Sequence, residues 1–256
     1  MYNEFYGFLE SPFNLTPDPR FLFLSDRHRE ALNHVLFGIQ ERKGFIQLTG
    51  EVGAGKTTVC RAILEQLGPN FRTALILNPI LTAPQLLRTI LAELGLKIPS
   101  RADRAQALEI LNHFLLEQLA EGNDVVLVID EAQDLDVDLL EQIRLLSNLE
   151  TDQRKLLQIV LIGQPELREK LDQRSLRQLR QRITVRYHLA PLTVAETEHY
   201  IHHRLRVAGG NGRPNFTPWA IRRIHRYSGG VPRLINAVCD KALLCGYVLG
   251  VDRLGW

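Results

Sequence analysis

The stretch Gly50-Glu51-Val52-Gly53-Ala54-Gly55-Lys56-Thr57-Thr58 holds the residue types that phosphate chemistry needs. Gly50 to Thr57 fits the spacing G-x-x-x-x-G-K-[ST]. Glycines let backbone N–H groups turn inward around phosphates, and a helix N-terminus behind them adds positive potential. Lys56 has the reach for β- and γ-phosphates, and the Thr57 hydroxyl suits Mg²⁺. A glycine turn without a ligand would leave the lysine and the threonine unexplained. A second acidic motif follows in VVLVIDEAQ. Asp130 ends an apolar run, so its carboxylate is expected beside the phosphate loop as a Mg²⁺ partner. Glu131 is then placed to orient and activate a water. The alternative for this acidic pair is a cap on the next helix. In LLQIVLIGQP, Gln164 is a candidate for the γ-phosphate or the attacking water. Its alternative is a turn residue before Pro165.

These side chains need a scaffold, and the hydrophobic pattern predicts one. GFIQLTG, RTALILN (72–78), VVLVID (125–130), LLQIVLIG (156–163) and ITVRYHL (183–189) read as five strands. Helices are expected over about 26–42, 56–67, 83–94, 104–121, 136–149 and 175–181, with a short one from Glu166. Apolar strands separated by helices predict an α/β fold, a parallel five-stranded sheet with helices on both faces. From Thr193 the pattern turns to helices only, about 193–207, 217–227 and 231–248. The division is therefore a nucleotide-binding domain over 1–190 and a helical lid over 191–256. Residues 5–24, rich in Pro and aromatics, read as an extended arm packing on the core. The last helix runs to VDRLGW without a clear cap, so the chain is expected to stop within a longer protein.

The chain has 256 residues, 45% of them hydrophobic and 23% charged, which excludes disorder as a class. It has no run of roughly 18 apolar residues for a membrane helix and no secretory leader pattern at MYNEFYGFLE. Cys60, Cys239 and Cys245 are too few and scattered for a disulfide framework or a zinc site, and the eight histidines show no metal-ligand spacing. A reducing, cytoplasmic setting is the default expectation. The net charge of +2 hides a polarity. Residues 1–150 carry 13 Lys and Arg against 21 Asp and Glu, net −8; residues 151–256 carry 18 against 8, net +10. Such polarity suits an anionic ligand, head-to-tail subunits or nucleic acid, and a solvated basic face equally.

Taken together, FYGFLESPFNLTPDPRFLFLS, GEVGAGKTT, VVLVIDEAQDL, LLQIVLIGQPEL, LRQRITVRYHLAPL and SGGVPRLIN resemble AAA+ ATPases. Within them they resemble the ExeA/GspA family of general secretion pathway A proteins. The resemblance implies ATP hydrolysis with Mg²⁺, self-association into a ring, and work on a secretin in type II secretion or a pilus-like system. It also implies an arginine acting in trans on the neighbour's γ-phosphate. Arg177, Arg180 and Arg182 are the candidates; Arg182 resembles the family's position, with Arg180 next. Arg233 in GGVPR resembles the sensor arginine of the lid. Longer relatives carry a membrane helix and a periplasmic domain, so membrane contact is expected only through a segment absent from this sequence. ATPases of transposition systems share several of these motifs. A DNA-associated ATPase is therefore the alternative, although no helix-turn-helix reader is evident.

Overall fold

The computed structural model describes residues 2–14, 18–99, 102–151 and 154–255. A short helix α1 (Tyr2–Tyr6) opens the chain, and α2 (Asp26–Gln40) follows the arm. The strand β1 (Phe45–Gly50) runs into the glycine loop and then α3 (Lys56–Gln66). Next come β2 (Phe71–Ile76), α4 (Ala83–Glu93), α5 (Arg104–Ala120), β3 (Asp124–Ile129) and α6 (Val137–Leu146). The strand β4 (Leu157–Gly163) leads to α7 (Pro165–Leu171), α8 (Arg177–Arg182) and β5 (Ile183–Leu189). The remainder is α9 (Val194–Val207), β6 (Asn215–Phe216), α10 (Pro218–Ser228), α11 (Pro232–Leu249) and β7 (Arg253–Leu254).

Two compact units result. The larger comprises Glu30–Gly50 and Lys56–Leu189. Its five strands are ordered β2-β3-β4-β1-β5, and every pairing is parallel. The inner strands are buried along their whole length in β1 and β4 and nearly so in β3. That is why β3 reads as an unbroken apolar run from Val125 and why β1 and β4 are apolar apart from Gln47, Thr49 and Gln158: strands of a covered parallel sheet are buried on both faces. The outer strand β5 alternates instead, with Thr184, Arg186 and His188 exposed. The register sets Leu48 of β1 beside Ile162 of β4 and Tyr187 of β5. The order also leaves β4 between β3 and β1, so Gln164 follows a strand flanked by the acidic strand and the loop strand. Capping is local and regular: Asp103 accepts from the Gln106 amide and Asp136 from the Leu139 amide.

The second unit comprises the residues up to Arg29, the loop Glu51–Gly55, and the chain from Ala190 on. The arm groups with the later helices rather than with the sheet. Tyr6, Phe8, Phe13 and Phe21 are buried in one cluster with Leu192, Tyr200, Leu205, Phe216, Ile235 and Leu243. The arm is also less extended than its prolines suggest, since it begins as α1 and makes a 3₁₀ turn over residues 19–21. Its Leu15, Thr16 and Pro17 lie outside the described residues. Arg204 fastens it: the guanidinium donates to the carbonyls of Pro12 and Asn14 and to the Tyr200 hydroxyl, 4.7 Å from the Phe21 ring centroid. The helices-only expectation beyond Thr193 is corrected by β6 and β7, a parallel pair burying Phe216 and Leu254. Two-residue strands are too short to carry an alternating pattern. Among the described residues no helix is long and apolar enough to cross a membrane.

Candidate functional site

The acidic cluster stands at the carboxyl ends of the central strands of the α/β unit. The Asp130 amide still donates to the Ile76 carbonyl at 2.8 Å, which extends the β2–β3 ladder by one step and aims the carboxylate off the strand end. Asp130 is 3% exposed. One carboxylate oxygen accepts from the Thr57 hydroxyl at 3.1 Å and the other from the Glu131 amide at 2.9 Å. Burial raises its pKa above the ordinary carboxylate value, and the Glu131 amide opposes the rise only in part. A buried, desolvated carboxylate touching a hydroxyl is a donor set that fits a hard divalent cation. Among the described residues no three His, Cys, Asp or Glu side chains converge on a metal cage. Mg²⁺ takes few protein ligands and completes its shell with water and phosphate oxygens.

Glu131 has left-handed backbone geometry, φ 51° and ψ 38°. A non-glycine residue held there is strained, and such strain concentrates where a side chain must be aimed. Two amides hold that side chain. Gln133 Nε2 donates to Glu131 Oε2 at 2.9 Å, and Gln164 Nε2 donates to the same oxygen at 3.3 Å. The Gln133 side-chain oxygen Oε1 in turn accepts from the Gln164 backbone amide at 3.0 Å. Gln164 therefore orients Glu131 in this structure. Spacing does not single out Gln133; its only sequence signal is a polar residue inside VVLVIDEAQ.

Lys56 opens α3 and is 6% exposed; its ammonium donates to the Gly50 carbonyl at 2.9 Å. Thr57 is the next residue, and Thr58 is half-buried beyond it. In the other unit, the loop Glu51–Gly55 closes on itself through the Ala54 amide and the Glu51 carbonyl, 3.1 Å apart, with Val52 exposed. Two residues press on it. Gly53 (φ 77°) faces Arg233, where an added Cβ would lie 2.5 Å from the Arg233 Cβ. The Arg233 amide reaches the Gly53 carbonyl at 3.4 Å, and the side chain is exposed. Gly55 (φ 100°) faces His28, where an added Cβ would lie 2.5 Å from Nε2. His28 is 3% exposed, with Nε2 3.0 Å from the Ala54 carbonyl and Nδ1 2.8 Å from Ser25 Oγ. Burial lowers its pKa, so the neutral ring donates from Nε2 and accepts from Ser25. A lone histidine on a helix gives no sequence sign of this role.

The arginines of α8 have separate attachments. Arg182 donates from Nη1 to Ser147 Oγ, to Asn148 Oδ1 at 2.7 Å and to the Arg144 carbonyl at 3.3 Å, which fastens it to the end of α6. Arg180 lies 3.3 Å from Asp172. Arg177 is exposed and has no side-chain partner among the described residues.

The AAA domain family matches residues 39–171. General secretion pathway protein A of Aeromonas hydrophila is 49% identical over 254 residues, covering 99% of this chain and 46% of that protein. The chain thus spans about half the length of that relative. Among solved structures, Cdc6p from Pyrobaculum aerophilum matches with a TM-score of 0.69 at 17% identity, over 96% of this chain and 68% of that one. The Aeropyrum pernix ORC1 protein in complex with DNA matches with 0.65 at 18%, over 96% and 66%. The Thermotoga maritima RuvB branch migration motor matches with 0.54 at 20%, over 88% and 65%. At these identities the three speak for the fold alone.

Proposed function

The chain belongs to the AAA domain family, and from that premise we propose that it binds ATP with Mg²⁺ and hydrolyses it. The observation that carries the proposal is the Thr57–Asp130–Glu131 set, with two amides holding one oxygen of Glu131. Backbone N–H groups from Gly50 to Thr58 and the Lys56 ammonium would hold the phosphates. Thr57 and Asp130 would hold the cation. Mg²⁺, when bound, supplies charge neutralisation at the β- and γ-oxygens. Gln133 and Gln164 occupy Oε2 of Glu131, which leaves Oε1 to accept a proton from an attacking water. Arg233, beside Gly53, would sense the nucleotide through its exposed side chain.

Self-association would supply an arginine in trans, and Arg177, Arg180 and Arg182 are its sources. Arg177 is the least costly to redirect, because the other two have partners within the chain. The match, which covers 99% of this chain and 46% of a general secretion pathway protein, supports work on a secretion machinery. A cytoplasmic setting for the nucleotide domain goes with that proposal. A second reading rests on α10. Arg222, Arg223 and Arg226 are exposed there with Trp219 and Tyr227, and Arg223 lies 4.6 Å from the Trp219 ring centroid. Basic and aromatic residues on one helix suit a polyanion such as DNA.

Lys56→Ala is expected to abolish ATP binding, while Glu131→Gln keeps binding and loses at least about 100-fold in turnover, the scale of a lost general base. Equilibrium binding of a fluorescent ATP analogue beside steady-state hydrolysis reads both. Retained turnover in Glu131→Gln removes Glu131 from the base role. Mixing Lys56→Ala with an alanine variant of the trans arginine should restore hydrolysis that neither has alone. Strong, salt-sensitive stimulation of hydrolysis by DNA would instead favour the second reading.

A further inference from the structure

A cavity of about 360 Å³ opens among α7, α8 and the outer strand β5, apart from the acidic cluster. The parallel register pairs Gln47 with Arg186 and Thr49 with His188, so these four side chains share one face of the sheet. Gln47 and Thr49, 5% and 3% exposed, are set deep in it. Thr49 Oγ1 bonds His188 Nδ1 at 3.1 Å. The Gln47 amide has no hydrogen-bond partner among the described residues, although it lines the cavity. The amide is not sealed off: it opens into the cavity, where a polar group of a ligand could pair with it.

Three arginines line the same cavity, each from a different element. Arg168 comes from α7, Arg180 from α8 and Arg186 from β5. Arg186 is turned along the rim by its bond to the Arg180 carbonyl. The single opposing charge is Asp172, 3.3 Å from Arg180, so the lining carries a net charge of +2. Arg168 has no ion pair among the described residues.

We propose that this cavity binds a small phosphorylated molecule. Its phosphate meets Arg168, Arg180 and Arg186, and its uncharged part meets Gln47, Thr49 and His188. A dianionic phosphate matches the charge that one carboxylate would leave half unmatched, and guanidiniums bind phosphate oxygens in pairs. The space falls in the range of about 300–1,000 Å³ that small molecules occupy, which is more than a bare ion fills.

The phosphate loop would also take phosphates, so the test uses the whole chain carrying Lys56→Ala. Calorimetry with inorganic phosphate, ribose 5-phosphate and adenosine monophosphate at one ionic strength separates the sources. At least one of the two organic phosphates is expected to bind about tenfold or more tighter than inorganic phosphate. Arg168→Ala and Arg186→Ala, both at exposed positions, should each weaken it about tenfold. Gln47→Met should weaken the organic ligand and leave inorganic phosphate unchanged. Equal weak binding of all three probes, binding indifferent to both arginine substitutions, or no binding at all overturns the proposal. None of these outcomes bears on ATP hydrolysis, which Lys56→Ala has already removed from the measurement.

Discussion

Asp130 pays for its position before any ligand arrives. Its carboxylate is buried, and its pKa is raised because the charged form has lost its water. The native chain therefore holds more protons than the unfolded chain between pH about 3.9, the usual aspartate value, and the raised pKa. Stability falls as pH rises through that window, and above it the ionised Asp130 is a standing cost. Asp130→Asn keeps a carbonyl oxygen for the Glu131 amide, lets Nδ2 donate to the Thr57 hydroxyl oxygen, and removes the charge. It is expected to raise the melting temperature of the ligand-free chain at pH 7 and to lose Mg²⁺-dependent turnover. The gain should shrink toward pH 4, as the wild-type carboxyl takes up its proton. Scanning calorimetry at the two pH values checks this, and an unchanged or lower melting temperature at pH 7 would refute it. Glu131 carries a different cost, in its backbone, and the two amides on Oε2 are what hold the strained residue in place.

At the scale of elements, legibility followed burial. The inner strands β1, β3 and β4 announce themselves as largely apolar runs because both faces are covered. The phosphate loop was equally legible, since its chemistry is written in consecutive residues. What stayed hidden depends on contacts between segments far apart in sequence. His28 meets Ala54, Gln133 meets the Gln164 amide, and Arg182 meets the end of α6. The ladder of β6 and β7 escaped for want of length. Arg204 belongs with these: nothing in its spacing sets it apart from the other basic residues of α9, yet it is 7% exposed and bonded to two arm carbonyls. Arg204→Met keeps the apolar stem and deletes those bonds. A loss of about 2–4 kcal/mol is expected, the scale of breaking a buried charged network. Denaturant titration measures it, and limited proteolysis should show the arm cleaved first. An arm as resistant as in the wild type would place its anchorage in the aromatics alone.

For the whole molecule, the charge boundary at residue 150 falls inside the α/β unit rather than between the units. That unit carries an acidic earlier part and an arginine-rich later one, from Arg168 through Arg186. A bipolar body of this kind favours head-to-tail contact between copies at low salt. The arm has another consequence, one that concerns the birth of the chain. Its partners in α9, α10 and α11 are translated about 160 residues after the arm itself. At 5–20 residues per second the ribosome needs roughly 10–30 s to supply them. For that interval Tyr6, Phe8, Phe13 and Phe21 are exposed on a nascent polypeptide, a surface that chaperones recognise and neighbouring chains adhere to. A chain ending at Leu189 should therefore scatter light strongly on synthesis in a chaperone-free extract, and removing the first 29 residues as well should suppress it. Equal scattering from both would acquit the arm. If the arm is responsible, the yield of folded protein in a cell is governed by how fast the ribosome travels from Arg29 to Ala190.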